Sequence, residues 1–181
     1  MLEAMQSAII PVDDHLSLRP MVPAHADQRY ALLRDNRDAA RWLTWIAGAD
    51  GPDPKYLEEN TLVPVTGKRT VFGMFMDDKL VGQIEFDPQD VSAEPGVGSI
   101  GYLLDRQVRG KGIATRACAA VIRYAFDEMK LKGIEIHCRP NNLPSVNLAK
   151  RLGFQGGKPN DRVDGQLLFT MTPEIWRSPQ R

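Results

Sequence analysis

Apolar and polar positions along this chain recur with two periods, two for strands and between three and four for helices, and the switches between them mark out the elements. His15-Leu-Ser-Leu-Arg19 alternates as an edge strand does, and Pro20 ends it. The residues before it, 1–11, are expected to be a loosely held lead-in. Ala24 to Arg34 and Asp38 to Ile46 carry apolar side chains at helical spacing (Tyr30, Leu33; Trp42, Leu43, Trp45, Ile46), and Pro52 and Pro54 open a further helix through Leu62. Arg69 to Met76 and Leu80 to Phe86 return to strand, joined by a tight turn at Asp77-Asp78-Lys79. Asp87 to Gly98 reads as a loop, and Ser99-Ile-Gly-Tyr-Leu-Leu104 as an apolar central strand.

From Ile113, the residues Ala117, Val121, Tyr124 and Ala125 keep helical spacing as far as Lys130, and Gly133 stops the helix. Ile134-Glu-Ile-His-Cys138 alternates as a strand. A shorter helix follows, with Pro144 in its first turn, Lys150 and Arg151 in its last and Gly153 as its left-handed stop. Phe154 onward and Gln166 to Met171 then pair as a terminal hairpin across the loop from Pro159 to Gly165. Strands and helices interleave, so the fold class is α/β (α+β).

The junction between the central strand and the long helix carries chemistry. The first amides of a helix have no partner inside it and the helix dipole adds partial positive charge, so an anion is favoured there. Gly110 and Gly112 let the backbone approach such an anion closely. Arg106, Arg109 and Lys111 add full charge, and Thr115 a hydroxyl. A P-loop is excluded by spacing, because Asp105 and Gly112 stand where it needs Gly and Ser or Thr. The dinucleotide fingerprint also fits poorly, its third small position falling on Thr115.

Composition narrows the setting. The chain has 181 residues, enough for one domain with a sizeable core, and nothing in it reads as a linker or repeat. Lys+Arg and Asp+Glu are 23 each, so no global field draws the protein to nucleic acid or a membrane surface. No apolar run would span a bilayer, and Glu3 stands where a secretory signal would be basic. Cys118 and Cys138 lack metal-ligand or disulfide spacing and are expected to be buried thiols in a reducing cytoplasm.

Gln107-Val-Arg-Gly-Lys-Gly112 matches Gln/Arg-x-x-Gly-x-Gly/Ala, and there the chain resembles the GNAT acyltransferases. Asn142-Leu-Pro-Ser145, followed by Leu152-Gly-Phe154, matches their second signature at the expected distance. Trp42-Leu-Thr-Trp45 and Ile100-Gly-Tyr-Leu-Leu-Asp105 resemble the ribosomal-protein N-acetyltransferase (RimL/RimJ-like) branch. The resemblance implies a mixed, mostly antiparallel sheet splayed between its fourth and fifth strands, with acetyl-CoA in the cleft as cosubstrate and no metal. Arg109, Gly110, Lys111, Gly112, Ile113, Ala114 and Thr115 would cradle the pyrophosphate. Backbone groups of Tyr102 and Leu104, and the Asn142 side chain, would hold the pantetheine. A homodimer is a further expectation.

Transfer to an amine asks for a neutral amine, a polarised thioester carbonyl and a proton for the leaving thiolate. Many family members protonate the thiolate with a Tyr four residues after the small residue of the second signature, but Ala149 stands there. The resemblance to the RimL-like branch hands the role to Ser145, whose hydroxyl could instead cap the helix. For the base, that branch often has Glu where Ser99 stands; Glu85, Glu135, His137 and the loop residue Asp161 remain, and Asp161 is the first choice, because that branch carries an acidic residue a few positions before the last hairpin turn, here Asp164-Gly165, with Glu85 carried beside it. Trp42 and Trp45 share a helix face and suit either core or the wall of an acceptor pocket. The acceptor expected is a primary amine such as a protein N-terminus. A small amine of polyamine or aminoglycoside type, or a non-catalytic CoA-binding module, is the alternative.

Overall fold

A computed structural model describes residues 8–40, 42, 70–90 and 93–178. Its strands are β1 (Ile10–Pro11), β2 (Leu16–Pro20), β3 (Thr70–Met76), β4 (Lys79–Asp87), β5 (Val97–Leu104), β6 (Gly133–Cys138), β7 (Gln155–Pro159) and β8 (Leu167–Met171). They form one eight-stranded sheet in the order β1-β2-β3-β4-β5-β6-β8-β7. Neighbours are antiparallel except β5 and β6. That exception follows from the chain between them, because the helix α3 (Ile113–Asp127) crosses over one face of the sheet and returns the chain in the same direction. Among the described residues, the α-helices before α3 are α1 (Ala26–Asp35) and α2 (Arg37–Ala40); after it come α4 (Leu143–Arg151) and α5 (Pro173–Arg177).

The period-two pattern of the strands decides which helices cover which face. Ile84, Phe86, Ile100, Ile134 and Ile136 pack with Ala117, Val121 and Ala125 of α3 and with Val146, Leu148 and Ala149 of α4. On the opposite face Phe75, Leu80 and Leu103 pack with Leu32 and Leu33 of α1. In register, Gln83 pairs with Leu103 and Glu85 with Gly101, which brings both polar side chains to the α1 face.

β5 and β6 stay together only from Val97↔Gly133 to Ser99↔Glu135. Beyond that point β5 keeps β4 at its side through Leu104, while β6 continues against β8. The two strands therefore part, and the cleft between them is the splay that the sequence resemblance implies between the fourth and fifth strands, the numbers moving up by one because Ile10–Pro11 adds a strand ahead of the one expected first.

Several local expectations change. Ile10–Pro11 is not a loose lead-in: it pairs with Leu18 and Ser17, and Ile10 is buried against the main core. Asp13 closes the turn behind it, its carboxylate accepting from the amides of His15 and Leu16. Lys79 belongs to β4, because Asp77 and Asp78 both take left-handed φ (44° and 67°) and make a two-residue turn by themselves. Val97 and Gly98 belong to β5 rather than to the preceding loop. α5 has no counterpart among the expected elements, although Thr172-Pro-Glu174 writes its start: the Thr172 hydroxyl accepts from the Ile175 amide at 3.4 Å. Trp45, the rest of the helix expected over Asp38 to Ile46 and the helix expected from Pro52 to Leu62 lie outside the described residues.

Candidate active site

The start of α3 has the properties of an anion cradle. Gly112 is its N-cap in the left-handed region (φ 72°), no side chain caps it, and its first turn holds no carboxylate. Gly110 is also left-handed (φ 79°). Among the described residues, a Cβ on Gly110 would meet nothing within 4 Å, and one on Gly112 only the end of Arg116 at 3.4 Å. These glycines fill no packing role; they set the turn and leave open space above the free amides of Ile113, Ala114 and Thr115, which is the space a phosphate requires.

The charges around the cradle divide differently from the sequence expectation. Arg109 points its guanidinium away from the anion site: Nη1 and Nη2 donate to the Asp38 carboxylate at 2.6 and 3.3 Å, Nη2 also to Asn36 Oδ1 at 3.1 Å, and Nε to the Leu104 carbonyl at 3.0 Å. In the candidate anion site Arg109 is therefore left with its backbone and the role of a clamp, and the Leu104 carbonyl expected to face the pantetheine already accepts from it. The fully buried Asn36 completes this clamp, donating to the Leu32 carbonyl and accepting from the Arg106 amide at 2.8 Å. Arg109 beside it holds the Asp38 carboxyl below its ordinary 3.8, so the tie is intact at neutral pH and is lost only as pH falls through that lowered value. Arg116 is likewise committed to Asp13. Lys111 is exposed. A cation that sequence reading assigned only to a helix end is added: Arg151 of α4 reaches back and donates to the Thr115 hydroxyl at 3.2 Å.

Inside the cleft, Tyr102 of β5 and Ser145 of α4 meet from opposite walls, the phenol oxygen 2.9 Å from Ser145 Oγ. Ser145 is buried and is not a cap; the cap position belongs to Asn142, whose side chain makes no capping bond. Burial raises the Tyr102 phenol above its ordinary value, with nearby Cys118 adding to the rise and the Ser145 hydrogen bond opposing it. Both thiols behave as expected of buried cysteines: burial pushes Cys118 up to about 12 and raises Cys138, with the nearby Ser145 hydroxyl opposing the latter rise. Neither is a thiolate at neutral pH, so neither competes as nucleophile for an acyl group.

The α1 face of the splay carries the carboxylates. Arg29 Nε donates to Gln83 Oε1 at 3.1 Å and Gln83 Nε2 to Glu85 Oε1 at 3.0 Å, forming a buried row. Opposite Glu85 stands Gly101, where an added Cβ would meet, among the described residues, only the Glu85 Cβ at 3.9 Å, so these residues leave a gap beside that carboxylate at the point where β5 and β6 part. Across the splay, the amide of Arg162 donates to Asn160 Oδ1, which turns the Asn160 amide nitrogen onto His137 Nδ1 at 2.9 Å. His137 Nε2 then donates to Glu135 at 2.9 Å, and Arg162 donates to the same oxygen at 2.6 Å. Both ring nitrogens of His137 are thus used, and Glu135 is tied to a guanidinium. Asp161, next to Asn160, is exposed, with no partner for its carboxylate among the described residues. Trp42 is partly buried just past α2, its amide donating to the Ala39 carbonyl.

The acetyltransferase (GNAT) domain model matches residues 15–155. The chain is 28% identical over 152 residues to the ribosomal-protein-serine acetyltransferase of Escherichia coli (strain K12), covering 80% of this chain and 82% of that protein. Among solved structures it resembles RimL, a ribosomal L7/L12 alpha-N-protein acetyltransferase, with a TM-score of 0.72 at 22% identity over 91% of this chain and 94% of that one. It also resembles AAC(6')-Ib in complex with ribostamycin and coenzyme A, with a TM-score of 0.73 at 20% identity over 92% of this chain and all of the other.

Proposed function

The chain belongs to the GNAT family and is an acetyl-CoA-dependent N-acetyltransferase, and from that premise we propose that its acceptor is the free amino terminus of a protein. The observation that carries this reading is the space that the described residues leave at Gly101 beside Glu85: it lies on the α1 face, away from the anion cradle and α4, where an extended chain end can enter and where, among the described residues, no ring of carboxylates awaits a bulky polycation. The relative from Escherichia coli named for ribosomal-protein serine agrees with it. The neighbour bound to ribostamycin keeps the small-amine reading as the second one.

In the proposed site the coenzyme supplies an acetyl thioester. The α3 amides, Lys111 and Arg151 hold its phosphates, and the Asn142 side chain and the open edge of β5 beyond Ser99 hold its pantetheine. Glu85, or Asp161 at the rim, takes the amine's proton, and Ser145 offers its hydroxyl to the leaving sulfur. With both thiols protonated, transfer is direct. We further place the enzyme in the cytoplasm as a homodimer, with no resident metal and no nucleic-acid or membrane partner.

The test is thiol release from acetyl-CoA over a panel containing a peptide with a free N-terminal serine, spermidine and an aminoglycoside. The peptide is expected to give the highest kcat/KM; preference for either small amine would overturn the acceptor assignment. Trp42 is tested beside it. If it walls the acceptor pocket, Trp42→Phe should raise peptide KM several-fold at nearly unchanged melting temperature. A core Trp would lower melting and leave KM alone.

A further inference from the structure

Ser145 has one hydrogen and two lone pairs, so what it can do for a leaving sulfur depends on where that hydrogen points. Among the described residues one partner lies against it, the Tyr102 phenol, which donates to Ser145 Oγ at 2.9 Å. Only one arrangement uses both hydroxyls. If Tyr102 donates to Ser145 Oγ and Ser145 donates to sulfur, each O–H has an acceptor. In the reverse order the phenol hydrogen has no acceptor among the described residues.

The position where many family members carry a phenol is filled by Ala149, which is fully buried among core side chains. The phenol in this cleft comes instead from the opposite wall, since Tyr102 belongs to β5 and Ser145 to α4. We infer that Tyr102 is a positioning residue for acetyl transfer, its O–H occupying the Ser145 oxygen so that the single Ser145 hydrogen is aimed at the departing sulfur. The inference rests on the proposed role of Ser145.

The step balances without a proton leaving Tyr102. The amine nitrogen adds to the carbonyl carbon and the C–S bond breaks, its electron pair settling on sulfur. The nitrogen loses one proton in becoming an amide and the sulfur gains one in becoming a thiol. Ser145 carries the hydrogen bond to sulfur as charge develops there, and Tyr102 strengthens that bond by polarising the hydroxyl. The phenol, raised by burial, stays protonated throughout the pH range of an assay and so remains a donor.

Tyr102→Phe keeps the ring and removes only the O–H. It should lower kcat by about tenfold, with calorimetric affinity for CoA and melting temperature nearly unchanged. In a Ser145→Ala background, itself expected to be slowed by about a hundredfold, the same substitution should cost nothing further, because the group it orients is gone. Wild-type turnover for Tyr102→Phe with a slow Ser145→Ala would overturn the Tyr102 inference alone. Wild-type turnover for Ser145→Ala would overturn the Ser145 reading and this inference with it. Equal losses from Tyr102→Phe in both backgrounds, accompanied by lowered melting, would reduce the bond to a tie between the cleft walls.

Discussion

Gly112→Asp is expected to abolish measurable CoA binding in a protein that still folds. The substitution acts on the site through three effects of the same sign. A left-handed residue (φ 72°) becomes one with a Cβ, a side chain enters the open space above the α3 amides, and a carboxylate takes the place meant for a phosphate. The cost to folding is smaller. Asp tolerates the left-handed region better than most side chains, the added Cβ meets only the flexible end of Arg116 at 3.4 Å, and an acid beside the first turn of a helix is favourable by about 0.3–1 kcal/mol. Calorimetry with CoA, taken beside a thermal melt, checks it; unchanged affinity in a folded variant would remove the phosphate from α3. Gly110→Asp offers an independent reading of the same space, since no described residue lies within 4 Å of its added Cβ.

What could be read from sequence was the local grammar of this site. Gly110 and Gly112 declare a left-handed turn because other residues are strained there, and the run from Ile113 to Ala125 declares the helix that follows. Asn142 to Phe154 likewise shows both ends of α4, down to Gly153 at φ 84°. What could not be read is which side chains meet across the sheet. Period two tells a residue's face but not its neighbouring strand, so nothing in Val97 to Leu104 announces that β6 departs after Ser99. The Tyr102–Ser145 bond joins residues 43 apart and the Arg109–Asp38 tie residues 71 apart. Arg109 shows the consequence. Its place in a basic turn reads as a phosphate ligand, yet a guanidinium is long and forked, and a carboxylate, a buried amide oxygen and a carbonyl lie within its reach.

Glu85→Gln is expected to slow acetyl transfer by about a hundredfold or more, whereas Asp161→Asn is expected to cost at most a few-fold. A base must come within hydrogen-bond reach of the amine, directly or through one water. Glu85 lies beside the Gly101 gap where the strands part, and its carboxylate is held in place by the Gln83 amide. Asp161 is exposed beyond Asn160, and Glu135 is engaged by His137 and Arg162. Glutamine preserves the shape of the buried row but accepts no proton, so CoA affinity and melting should change little while kcat/KM for the acceptor falls. The pH profile separates this from a loss of packing. Removal of a base flattens the rise of kcat/KM with pH at its acid end, whereas a packing defect lowers the whole curve without changing its shape. The opposite order, a flattened profile for Asp161→Asn and an intact one for Glu85→Gln, would move the base from the floor of the splay to the rim formed by the β7–β8 loop.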